Sequence, residues 1–125
     1  MRGHWRRKLV CSYEIDKLKI VESETFRKQF LGAIAYILLK FNDEFAANSL
    51  VDDYVDILAS IKLTITSNTG IIRDRRLVKY GYRRKLLKSH KYAVVYRYED
   101  GVIYLDYFFH QKQDYLNLMA EDYAT

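Results

Sequence analysis

Proline is absent from this 125-residue chain, and cysteine occurs once, as Cys11. Without proline or a Pro/Ser-rich stretch, nothing in the sequence reads as a linker between domains. A single cysteine excludes an internal disulfide. With no signal-peptide pattern, the expected compartment is the reducing cytoplasm. No apolar run reaches the roughly 20 residues needed to span a bilayer, so no membrane partner is expected. Glycine is scarce, at five residues, and Gly101 is the one that clearly marks a hairpin. Internal repeats and low-complexity segments are also missing. His4, the first histidine, stands among arginines and gives no ligand set for a metal.

What is present is apolar, aromatic and basic. Half of the residues are hydrophobic and 15% are aromatic, so the chain has material for one packed core. Twelve tyrosines suit half-buried sheet faces, where the ring is covered and the hydroxyl stays wet. The net charge of +5 is unevenly spread. Between residues 73 and 97, ten cations face only Asp74, which makes that stretch +9 and leaves −4 for the remainder. Positive charge gathered in one region predicts an anionic partner there.

That region also holds the clearest local structure. Glu99-Asp100-Gly101 joins two β-branched and aromatic runs, a strong hairpin signal. Residues alternate along both runs, so each strand presents two different faces. One face carries Ala93, Val95, Ile103, Leu105 and Phe109. The other carries tyrosine hydroxyls, Asp106 and His110, with Val94 and Phe108 among them. Residues 82–88 read as a third strand carrying Arg83, Arg84 and Lys85.

Upstream, residues 9–15 read as a short strand after a basic start, and residues 17–22 as another. Ser23 is an N-cap, and Phe26, Phe30, Ile34, Ile37 and Phe41 recur at helical spacing. Asn42-Asp43 interrupts that series. A second stripe then runs through Leu50, Tyr54, Ile57 and Ile61, with Asp52, Asp53 and Asp56 on its solvated side. Residues 114–120 can form a short last helix. The predicted fold class is α+β: a strand, a two-helix hairpin, then a three-stranded antiparallel meander, with the helices packed on one face of the sheet. The expected division is a basic N-terminal extension at 1–16, one domain at 17–120 and a disordered tail at 121–125. The apolar face is expected under the helices, leaving the tyrosine, arginine and histidine face open.

Four stretches in this order resemble the RelE/ParE superfamily of toxins from type II toxin–antitoxin systems. KIVESETFRKQFLGAIAYI resembles the opening strand and first helix. NDEFAANSLVDDYVDILASI is similar to the second helix, which usually begins Asn-Pro-Glu-x-Ala. YRRKLL followed by KYAVVYRYEDGVIYLDYFFH looks like the arginine-bearing strand and the Asp-Gly hairpin. HQKQD is similar to the His-Gly-Arg-Arg-Asp close of ParE-like members, with Lys112 and Gln113 where arginines are common. The resemblance spans about residues 17–118.

The resemblance implies a toxin neutralised by a cognate antitoxin protein. RelE-like members cut mRNA on the ribosome, whereas ParE-like members poison DNA gyrase and cleave nothing. A non-toxic basic module that binds nucleic acid is the reading from outside the family. For the nuclease, the chemistry requires a base, an acid and cations, but no metal or other cofactor. His110 is the acid/base candidate because imidazole titrates nearest neutrality. Whichever of Arg83 and Arg84 faces outward would clamp phosphate. Tyr96 would stack on a base or orient the phosphate. Arg73, Arg75, Arg76, Lys85, Lys88, Arg97 and Lys112 are the nucleic-acid-binding candidates. The antitoxin is expected to lay apolar residues along the helices or sheet and acidic ones against residues 73–84.

Overall fold

The computed structural model describes residues 9–15, 18–65, 67, 69–89 and 91–123. Strand β1 spans Leu9–Ile15 and β2 spans Leu18–Ser23. Ser23 closes β2 and starts helix α1, Glu24–Phe41, because its hydroxyl accepts the Phe26 amide at 3.0 Å. Asn42 ends that helix in the left-handed conformation (φ 48°). Asp43 then accepts the Ala46 amide at 2.9 Å and opens α2, Glu44–Thr64. The Asn42-Asp43 break is thus a C-cap followed directly by an N-cap.

After a short 3-10 turn at Val78–Tyr80 come β3 (Arg83–Leu86), β4 (Tyr92–Glu99) and β5 (Val102–His110). Asp100 and Gly101 both take positive φ, 52° and 79°. That pair of left-handed residues matches the twist of a two-residue hairpin. Helix α3, Tyr115–Glu121, ends the described chain.

The sheet order is β1-β2-β5-β4-β3, with β2 parallel to β5 and the other pairs antiparallel. Two expectations are corrected here. The meander does form, but it belongs to a five-stranded sheet in which β1 is an edge strand rather than an extension outside the domain. Of the proposed 1–16 extension, residues 1–8 and 16, with His4, lie outside the described residues, as does His90. β1 is pinned from the side: the Tyr13 hydroxyl contacts that of Tyr54 at 2.6 Å and donates to Glu22 at 3.1 Å. Glu22, only 2% exposed, also accepts from Tyr54 and from Arg27 at 3.0 Å. Burial, then the bonds to Glu22 and Tyr13, push the Tyr54 hydroxyl far above its ordinary pKa.

The second correction concerns which face is covered. Opposite Val95 lies Tyr107, but opposite Tyr96 lies Leu105, so Asp106 is an unpaired bulge residue. The bulge reverses the alternation of β5. Tyr92, Val94 and Tyr96 therefore share a face with Ile103, Leu105 and Phe108, and it is this face that packs beneath α1 and α2. Ala93, Val95 and Phe109, expected there, belong to the opposite face. That face is not open. Ile72, Leu77, Tyr80, Tyr82 and Met119 cover Val95, Tyr107 and Phe109 to make a second core. The tail expectation is corrected for three residues: Glu121 ends α3, Tyr123 stacks on Tyr80 with centroids 4.0 Å apart, and Asp122 accepts the Tyr107 hydroxyl. Two-sided burial explains why β4 and β5 are almost continuously apolar or aromatic.

Candidate functional site

A groove of about 1240 Å³ opens where the tip of the helical hairpin stands off the sheet. Its apolar wall includes Ala33, Tyr36, Ile37, Phe41, Leu50 and Phe108, and its sheet-side rim carries Lys91, His110 and Lys112. Asp43 and Asp53 stand on the helix side. Tyr36, Phe41 and Phe45, which line the groove, are themselves exposed. Contiguous apolar surface with a charged rim is the usual form of an interaction site.

His110 ends β5 and pairs with Tyr92, whose ring meets the imidazole edge-on at 5.2 Å. Its Nδ1 accepts the Lys112 amide at 3.1 Å, and its own amide donates to Gln113 Oε1 at 2.8 Å. The following turn therefore holds both the ring and the backbone of this residue. Burial, then the nearby Tyr36, pushes the Tyr92 hydroxyl above its ordinary pKa.

The other catalytic candidates are elsewhere. Arg83 pairs with Tyr96, four residues along β4 from Tyr92. At about 3.3 Å per residue this separates it from His110 by roughly 13 Å along the strand. Its guanidinium donates to the Ile65 carbonyl at 3.0 Å and the Ser67 carbonyl at 2.6 Å, just past the C-terminus of α2. A cation there satisfies carbonyls the helix leaves without partners. Lys85 likewise donates to the Thr64 hydroxyl at 3.2 Å. Tyr96 is 1% exposed, and burial raises its pKa against the lowering effect of Arg83. Arg84 faces the other way and lies 5.2 Å over the Tyr115 ring. The open question of strand parity thus resolves to Arg83 toward the helices and Arg84 toward the opposite face. Neither stands beside His110.

Among the nucleic-acid-binding candidates, Arg97 is removed from the surface. It is 2% exposed, donates to Asp106 at 2.8 Å, and lies 4.1 Å over the Tyr104 ring. Arg76 bonds Asp74 and Asn117, and its guanidinium holds the Asp74 carboxyl below the usual carboxylate range. Arg73, Arg75, Lys88 and Lys112 are exposed. Only Lys112 of these lines the groove. Sequence reasoning passed over Lys91 and Gln29, which line it too. Lys91 was visible as one cation in a run, whereas nothing along the chain marks a mid-helix Gln29 as a neighbour of Phe108, whose amide it accepts at 2.8 Å.

Arg83→Ala is expected to cost roughly 1–3 kcal/mol of stability, the scale of hydrogen bonds to a charged donor. The measurement is chemical denaturation beside an activity assay. An unchanged midpoint with lost activity would contradict the capping role.

No protein-family model matches the chain, and no curated protein does either. No group of three or more His, Cys, Asp or Glu side chains suited to a metal occurs among the described residues. No helix among them is long and apolar enough to cross a membrane.

Proposed function

We propose that this chain is the toxin of a type II toxin–antitoxin pair, with a RelE/ParE-like domain formed by β2, the α-hairpin and the β3–β4–β5 meander. Its growth-inhibiting activity is cleavage of mRNA on the ribosome, with His110 as the proton-handling group. The observation that carries this is a half-buried histidine at the rim of a large groove, flanked by exposed Lys91 and Lys112. Lysine ammonium groups can neutralise charge developing on a phosphate oxygen without a metal. They replace Arg83, Arg84 and Tyr96 in the assignment. The cognate antitoxin would set its apolar residues against the exposed hairpin tip. Its acidic residues would meet the cationic rim rather than residues 73–84.

A second reading has its own support. Arg83 and Arg97 are committed to internal bonds and Tyr96 is buried, so among the described residues none of these three candidates stands beside His110. That favours a toxin that poisons DNA gyrase by binding alone.

In vitro translation with toeprinting separates the two. Cuts at the ribosomal A site are expected, falling by about 10²–10⁴ in His110→Ala, the usual contribution of a positioned acid or base. Gyrase-dependent DNA breaks with intact mRNA would establish the second reading instead. Unchanged growth when the chain is expressed without a partner would defeat both and leave a plain nucleic-acid-binding module.

A further inference from the structure

We propose that the cationic end of the groove is an oxyanion site for a phosphate group, in which His110 serves as a hydrogen-bond donor through Nε2. This rests on the reading above, which already sets Lys91 and Lys112 against a phosphate, and deepens it by assigning the proton that the resting histidine presents.

The tautomer follows from the turn. A nitrogen that accepts a hydrogen bond cannot carry a hydrogen, so the bond from the Lys112 amide to Nδ1 at 3.1 Å leaves the single proton of neutral imidazole on Nε2. The turn is braced on three further sides. The His110 amide reaches Gln113 Oε1 at 2.8 Å, the Gln113 amide reaches the His110 carbonyl at 2.9 Å, and the Gln111 amide reaches the Lys91 carbonyl at 2.8 Å. Tyr92 fixes the ring edge-on from β4. Putting a proton on Nδ1 would set two N–H groups against each other and require the turn to open.

The neighbours share the same polarity. Lys91 and Lys112 are exposed ammonium groups on this rim. Gln29 spends its carbonyl oxygen on the Phe108 amide, which leaves its NH₂ as a donor. Lys91, Lys112, His110 and Gln29 thus bring two cations and two neutral donors to the lining of the groove, which also carries the carboxylates of Asp43 and Asp53. A phosphate oxyanion matches this donor set, and inorganic phosphate, with a charge near −2, should be held more tightly than a carboxylate with two oxygens and one charge. A base role for His110 through Nδ1 needs the turn to open first, so the resting ring presents a donor.

The test uses the full chain with ¹⁵N-labelled histidine and inorganic phosphate, at fixed ionic strength and a pH where the ring is neutral. Two-bond ¹H–¹⁵N spectra report the tautomer, and His110→Gln identifies the signal. We expect an Nε2–H tautomer and saturable shifts of that signal with phosphate. Lys91→Ala with Lys112→Ala should weaken the phosphate response at least tenfold without changing the tautomer. Lys112→Pro removes the amide hydrogen and should move the population toward Nδ1–H. Gln113→Ala loosens the same turn and should do so if the proline variant does not fold. An Nδ1–H tautomer in the unmodified chain, no saturable phosphate shift, or saturation by acetate at lower concentration than phosphate would each overturn the proposal. Failure of mRNA cleavage with these results intact would count against the nuclease alone.

Discussion

Replacing Asp106 with alanine is expected to cost about 3–5 kcal/mol, the scale for removing one partner of a buried ion pair. Asp106 is 1% exposed, and its carboxylate accepts Arg97 Nε at 2.8 Å. Losing it strands a guanidinium in the interior. Arg97 keeps Glu99 at 3.3 Å and the Tyr104 ring at 4.1 Å, which places the cost toward the lower end of that range. For a chain of this size the loss corresponds to a fall in Tm of roughly 10–20 °C. Asp106→Asn keeps the shape of the bulge and should lose less. Thermal unfolding of the two variants checks this, and a change below about 1 kcal/mol in Asp106→Ala would show that the pair contributes little beyond its packing.

Phe26→Ala should destabilise by a similar amount, about 3–5 kcal/mol, through a different cause. Phe26 is fully buried on the helix side of the sheet, with ring centroids of Phe30, Tyr54 and Phe108 at 6.1, 5.7 and 5.9 Å. Truncation leaves a cavity that three rigid rings, held by two helices and β5, cannot close. The contrast is Phe45→Ala. That ring is 83% exposed beside the groove, so its removal should change stability by less than about 0.5 kcal/mol while weakening any partner bound there. Denaturant titration of both variants reads the difference directly. A stable Phe26→Ala would mean that the helical hairpin is not clamped through this aromatic cluster.

These two sites lie on opposite sides of β5, which is why the domain depends on that strand. The helix-side core and the core beneath α3 meet across it, so a fault in β5 reaches both.

Much of the architecture was readable along the chain because it is local. Ser23 and Asp43 announce helix starts, Asn42 a helix end, and Asp100-Gly101 a hairpin, each through a bond or dihedral within a few residues. The α+β class followed, whereas the order was given only in part, because β1 joins the sheet ahead of β2. The site was less legible. Counting outward from Glu99 opposite Val102, a regular ladder sets Lys91 opposite His110; the bulge at Asp106 moves the partner to Tyr92. One unpaired residue therefore changes which side chains share a face from there to the strand end. Arg83, Tyr96 and Arg97 look alike in a basic, tyrosine-rich run, yet one caps a helix and two are buried.

The chain by itself determined the α+β class, the two long helices with their caps, the Asp-Gly hairpin and the place of the positive charge, since those depend on neighbours in sequence. The tertiary structure decided which cations stay free and which side chain stands beside His110. Burial and strand register are set by segments far apart along the chain, and no local pattern carries that information.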